Sequence, residues 1–301
     1  MMIMPIKLFC FLILSSVIIG GVSYSGVSQE VIAQYIPNNN KIVILTFGDG
    51  WKDQFTAAKP ILDKYGFKGS FFITCTFVGL PPRMNWTDIL SLYHDGNDIG
   101  SKTMTYKDLT KLSPSGLNYE IGQSKQCLLN HGINTTLFAT PKGLGVANAT
   151  VVKEIAKYYD LAINGFSTLM YLKCDGWKRY SSQTDCRTFF DNGTLTYANR
   201  YSIREWSHNA VDLADNHNST SIFKTFVKVV NSQENLNRGG EINAISIVAY
   251  HNIQDANLRG STGVALFSEE MKYLHDNNFR VIRVSDLGFN QTTNNLYVKG
   301  L

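Results

Sequence analysis

The chain has 301 residues, 44% of them hydrophobic and 12% aromatic, enough apolar material for one large buried core or two small ones. Its 28 basic and 24 acidic side chains leave a net charge of +4, and Lys and Arg are scattered without a basic run, which argues against nucleic acid as a partner. There is no C-x-x-C pair, no phosphate-binding glycine loop and no heptad series, so a zinc-thiolate site, a P-loop and a coiled coil are set aside.

Residues 1–30 read as a leader. Lys7 precedes an uninterrupted apolar or small stretch, 8–22, and then Ser23-Tyr24-Ser25-Gly26, the form of a secretory signal. The stretch is short of the roughly 20 residues that span a bilayer, but Met1 to Ile6 can lengthen it into an N-terminal anchor. Either reading expects a secreted or cell-surface protein that touches membrane only through this segment. Asn85, Asn134, Asn148, Asn192, Asn218 and Asn290 each begin an N-x-Ser/Thr sequon, in keeping with export. Cys174 and Cys186 bracket a polar segment, and a disulfide between them would stabilise it by roughly 3 kcal/mol. Cys75 and Cys127 sit in apolar settings and are expected as buried thiols.

After a polar lead-in, 31–40, apolar runs alternate with segments of helical period, the sequence form of a β/α architecture. Strands are expected at 42–47, 70–74, 98–100, 137–139, 161–164, 244–250 and 279–284. Helices are expected at 56–65, 87–94, 114–131, 149–158, 219–230 and 268–277. Residues 165–199 are polar and aromatic and read as an insertion within a domain spanning 41–290, with 291–301 as a tail. Parallel strands joined by helices present their functional loops at the strands' carboxyl ends. Asp49, Lys102, Pro141 and His251 all fall there.

Four of these strand ends carry motifs: Thr46-Phe47-Gly48-Asp49-Gly50, Gly100-Ser101-Lys102-Thr103-Met104-Thr105-Tyr106, Phe138-Ala139-Thr140-Pro141-Lys142-Gly143 and Val248-Ala249-Tyr250-His251. In order and spacing they resemble the polysaccharide deacetylases, the NodB-like carbohydrate esterases, which implies a distorted (β/α) barrel with the Cys-containing insertion added. In that family the first motif reads Thr-Phe-Asp-Asp-Gly, its first Asp a general base and its second a ligand of a divalent metal held also by two His four residues apart. The metal activates water against the acetamide of an N-acetylated sugar. On this resemblance Asp49 matches the metal-binding Asp, Gly48 stands in place of the base, and Lys102 and Tyr106 replace the two His. A protonated amine has no lone pair and a neutral phenol is a poor ligand. Lys102 is expected to place its ammonium at the metal's position and pair with Asp49, so Asp49 alone is an insufficient metal site and no cofactor is expected.

The resemblance further implies His251 as general acid and a main-chain donor in the turn at Pro141 and Lys142 for the oxyanion, with Tyr250 among the substrate-binding residues. Independently, Trp51, an aromatic in the same turn as Asp49, is expected to stack on the apolar face of a sugar ring. The plain alternatives are an Asp49 that orders its turn and a His251 that is a hydrogen-bonded core histidine. His94, His131, His208, His217 and His275 lack ligand spacing and are expected at the surface. Three functions stay open. One is a glycan-binding relative with a degenerate hydrolytic site. Another is an active deacetylase whose site is rebuilt around Asp49, His251 and Asp53 or the insertion, with zinc or without metal. The third is an adhesive surface glycoprotein that uses the aromatic insertion.

Overall fold

The structure, a computed structural model, describes residues 38–145, 148–173, 188–189, 195–196, 200–208, 218–255, 260–293 and 295–301. The leader and the Cys174 and Cys186 pair lie outside them. The strands in chain order are β1 (Asn38–Gly48), β2 (Ser70–Ile73), β3 (Asp98–Ser101), β4 (Leu137–Ala139), β5 (Leu161–Phe166), β6 (Met170–Tyr171), β7 (Thr188–Phe189) and β8 (Leu195–Thr196). They continue as β9 (Ile203–Ser207), β10 (Ala244–Tyr250), β11 (Asn252–Ile253), β12 (Ser261–Thr262), β13 (Phe279–Ile282), β14 (Leu287–Asn290) and β15 (Asn295–Val298). Strands β1, β2, β3, β4, β5, β9 and β10 pair in parallel in that order, and β10 pairs back onto β1, with Val43 opposite Ser246 and Phe47 opposite Tyr250, so the sheet closes into a seven-stranded barrel.

The apolar runs are nearly continuous because barrel strands are buried on both faces. Their period of two sorts them. Ile42 and Ile44 of β1 point inward with Ile203, Ile245 and Ile247, whereas Val43, Leu45 and Phe47 point outward with Val248 and Tyr250. The outward layer packs against Leu62 of α1 (Lys59–Lys64), Phe226 of α6 (Ser219–Asn231) and Phe267 of α7 (Val264–Asp276). The same alternation carries Thr46 and Gly48, further along β1, to the inner side at the barrel mouth.

The remaining helices are α2 (Trp86–His94), α3 (Pro114–Leu117), α4 (Ser124–Leu129) and α5 (Ala149–Ala156). The helix expected at 114–131 runs through α3 and α4 but is widened between them into a π-helical segment, Asn118–Gln123, and another π segment, Gln54–Ala58, leads into α1. Three sequon asparagines cap helices, the side chains of Asn85, Asn148 and Asn218 accepting backbone N–H groups at the starts of α2, α5 and α6. Asn290 accepts from Thr292 and Thr293 in the same way, so part of the sequon signal is turn chemistry.

Several boundaries differ from expectation. β9 lies where no strand is expected, because Ile203-Arg204-Glu205-Trp206-Ser207 alternates charge with bulk and offers no apolar run. The expected insertion begins inside the barrel: β5 runs to Phe166, and β6 pairs antiparallel with β10. Residues 291–301 are not simply a tail, since β15 pairs with β14 and buries Leu296 and Val298 beside Leu287. β1 starts at Asn38 within the supposed lead-in. Finally, Cys75 and Cys127 are not thiols but a disulfide, with Cα atoms 6.5 Å apart, joining the turn after β2 to α4. They are 52 residues apart in sequence, and only the crossover through β3 brings them together.

Candidate functional site

The barrel mouth is built from strand-end turns whose backbone is unusual. Asp49, Thr103, Tyr106 and Lys142 all have left-handed φ, at 72°, 70°, 65° and 58°. Non-glycine residues adopt this region at a cost and tend to be held there at functional sites. Gly50 follows Asp49 with φ 68°, which glycine tolerates freely.

These turns bring Asp49 and Lys102 together. Lys102 Nζ lies 2.8 Å from Asp49 Oδ1, with only 8% and 10% of the two side chains exposed. Oδ1 has no partner of hydrogen-bond geometry, so the ammonium meets it as a charge rather than as an aligned donor. The glycine at 48 is what makes room: a Cβ on Gly48 would stand 2.8 Å from Lys102 Nζ and 3.3 Å from the His251 ring. The ammonium therefore occupies space that a side chain at 48 would need. Burial pushes the Asp49 carboxyl up, but Lys102, then His251 and Arg83, outweigh it and hold it below the ordinary carboxylate range. Burial likewise pulls Lys102 down, but Asp49, with Tyr106 and Glu205, more than restores it, so the ammonium stays charged. Such a pair chiefly avoids an isolated buried charge.

His251 closes the group. Its Nε2 is 3.9 Å from Asp49 Oδ2 and its side chain is 30% exposed. Burial, reinforced by the Lys102 charge, lowers its pKa to about 4, so the imidazole is neutral at pH 7. Tyr106 turns its ring toward Lys102, whose Nζ is 5.5 Å from the ring centroid, and burial raises the phenol's pKa. Pro141 is buried, and Lys142 is exposed at the rim.

Two expectations need correction. Tyr250 cannot contact a substrate at the mouth. It belongs to the outward layer, is fully buried, stacks on Phe47 and donates its hydroxyl to Glu270 Oε2 at 2.8 Å. His208 is not at the surface: it is fully buried, with Nε2 2.6 Å from Glu270 Oε1 and Nδ1 3.0 Å from Thr262 Oγ1. Trp51, for its part, already carries the Arg83 guanidinium 3.3 Å from its ring centroid, which leaves only its other face for stacking.

Three further residues complete the site. Gln54 is fully buried and its Nε2 donates to the carbonyls of Gly48, at 2.6 Å, and His251, at 2.8 Å, clamping the ends of β1 and β10. Arg83 Nη1 donates to the Asp49 carbonyl at 2.9 Å and so supports the left-handed turn. Glu205, inward on β9, accepts from the Thr46 hydroxyl at 2.7 Å. Its pKa is raised by burial, offset only in part by Lys102 and Thr46. Thr46 and Glu205 share the inward parity of Ile42 and Ile203, the one sequence signal that points to them.

A divalent metal does not fit this donor set. The charge of Asp49 is taken by Lys102, and neither Lys102 nor Tyr106 offers a ready lone pair. Among the described residues no three His, Cys, Asp or Glu side chains gather as a metal site, and Asp53 does not supply the missing ligand.

Comparison with known proteins agrees with the architecture. Residues 36–162 match the polysaccharide deacetylase family profile. A Bacillus subtilis protein, YxkH, that carries a polysaccharide deacetylase name is 29% identical over 106 residues, 35% of this chain and 38% of its own length. A chitin deacetylase of Arthroderma benhamiae is 34% identical over 83 residues, 27% of this chain and 22% of its own. The chain thus spans under two-fifths of either relative. A family 4 carbohydrate esterase from Streptomyces lividans, solved in complex with acetate, shares the fold with a TM-score of 0.51 and 15% identity, covering 86% of this chain and 98% of that one.

Proposed function

We propose, from the premise that residues 36–162 belong to the polysaccharide deacetylase family, that this protein binds N-acetylated polysaccharide outside the cytoplasm without metal-dependent hydrolysis. The observation that carries the reading is the Lys102 ammonium 2.8 Å from Asp49, in the space that the glycine at 48 leaves open. A general base at 48 and the two His ligands are absent together, while the scaffold, the left-handed turns and a neutral His251 are kept. A groove where β5 and β9 end, lined by Phe166, 53% exposed, and by the buried Trp206, gives a pyranose ring one exposed aromatic face, that of Phe166. The apolar stretch 8–22 supports export.

The test is calorimetric titration with chitotetraose alongside an assay for released acetate, each with zinc and with a chelator. Binding without acetate release in either condition is expected. Zinc-dependent acetate release that disappears in Asp49→Asn would overturn the reading.

A second reading, metal-free amide hydrolysis, draws on Glu205, a carboxyl with raised pKa facing the mouth beside Lys102. Acetate release that is indifferent to chelator and lost in Glu205→Gln would favour it.

A further inference from the structure

At the opposite end of the barrel, where the parallel strands begin, a cleft of about 340 Å³ opens between the β14–β15 hairpin and the segments entering β4 and β5. Its floor is apolar, formed by the buried Leu137, Leu161 and Leu287. Its size lies within the roughly 300–1,000 Å³ usual for small-molecule sites.

The aromatic wall is Tyr297, 48% exposed. It stands opposite Gly288 in the hairpin register, and a Cβ on Gly288 would fall 2.3 Å from its ring. The ring therefore lies against bare glycine backbone. Covering a strand glycine is a structural use for such a ring, but it accounts only for the inner face. A second ring, Phe289, lies 5.3 Å from the Arg200 guanidinium. Arg200 is in turn fixed by Asp160, its Nε donating to the Asp160 carbonyl at 2.6 Å and its Nη2 meeting Oδ1 at 3.2 Å. The Asp160 side chain remains 63% exposed, and Lys299 and Gln291 lie on the rim.

An exposed ring that shares a cleft with a fixed guanidinium and an exposed carboxylate suits the apolar face and hydroxyls of a sugar. With one carboxylate set against two cations on the lining, the cleft carries little net charge and does not call for a strongly charged ligand. We propose that this cleft is a second glycan-binding site, taking gluco-configured pyranose units of a polymer with one ring stacked on Tyr297. It is separate from the barrel mouth and does not depend on whether the mouth binds or hydrolyses.

Hydrogen exchange of the full chain, with and without millimolar chitotetraose or cellotetraose, tests it. At least one sugar should slow exchange in residues 285–299. Tyr297→Ala should abolish that slowing and weaken binding at this site about tenfold, a loss of roughly 1.4 kcal/mol. Tyr297→Phe keeps the stacking face and should retain both. Asp160→Ala should weaken binding without removing the ring. No slowing at 285–299 with either sugar, or slowing that persists undiminished in both Tyr297→Ala and Asp160→Ala, would overturn the proposal. Slowing confined to 46–52 and 100–106 would support the mouth as a glycan site and sink this one.

Discussion

Lys102→Met keeps the bulk of the side chain and deletes the ammonium 2.8 Å from Asp49. The two side chains are only 8% and 10% exposed, so the Asp49 carboxylate would be left buried without its counter-charge. Removing one partner of a buried pair costs about 3–5 kcal/mol. Here the loss is cushioned by His251, whose Nε2 lies 3.9 Å from the other Asp49 oxygen, so about 2–4 kcal/mol is expected at pH 7. The protons should rearrange as well. Burial is the leading influence on Asp49 and raises its pKa, and Lys102 is the leading one opposing it, so the Asp49 carboxyl should move up. His251 loses a repelling charge and should titrate well above its present value of about 4. Urea denaturation gives the first quantity, and NMR titration of the imidazole the second. A variant within 1 kcal/mol of the parent, with His251 still titrating near 4, would refute the claim that a buried Lys102–Asp49 pair organises the mouth.

Other perturbations have defined outcomes. His251 has a folded pKa of about 4 against an unfolded 6.5, so its contribution to stability is whole above pH 6.5 and is lost as pH falls through 4. With its ring 30% exposed, about 1–2 kcal/mol should go in that window, and His251→Asn should remove that part of the pH dependence of urea midpoints. Replacing Cys75 and Cys127 by Ser should cost about 4 kcal/mol from the loop of 52 residues, read as a lower melting temperature, and an unchanged value would contradict a disulfide there. Glu270→Ala leaves the buried His208 ring and Tyr250 hydroxyl without their carboxylate, so about 3 kcal/mol or more should be lost in denaturation; a neutral effect would count against that network. The triple variant Gly48→Asp, Lys102→His, Tyr106→His clears Lys102 from the space beside position 48 and should bind one zinc by calorimetry, whereas a folded triple variant that binds none would show that the scaffold has lost the family geometry.

Asp49, Lys102 and His251 are legible in the sequence as mouth residues because each follows directly on a buried strand, and parallel β/α folds gather strand ends. What escapes sequence reading is either polar within a strand or contributed from a distance. Glu205 sits on β9, whose alternating charge disguises it as loop. Gln54 and Arg83 act through backbone carbonyls, and no motif records such bonds. Tyr250 follows from a simpler rule than its motif suggests: neighbours on a strand face opposite ways, so with His251 at the mouth Tyr250 must face the helices. His208 resembles a surface residue in sequence because its partners, Glu270 and Thr262, come from later elements.

The proposed reading puts the Lys102 ammonium, 2.8 Å from Asp49, where the family's metal would bind, and zinc titration of the intact protein by calorimetry, with Asp49→Asn as the control, tests it most directly. No stoichiometric binding is expected in either protein; one zinc per chain, lost in Asp49→Asn, would contradict it.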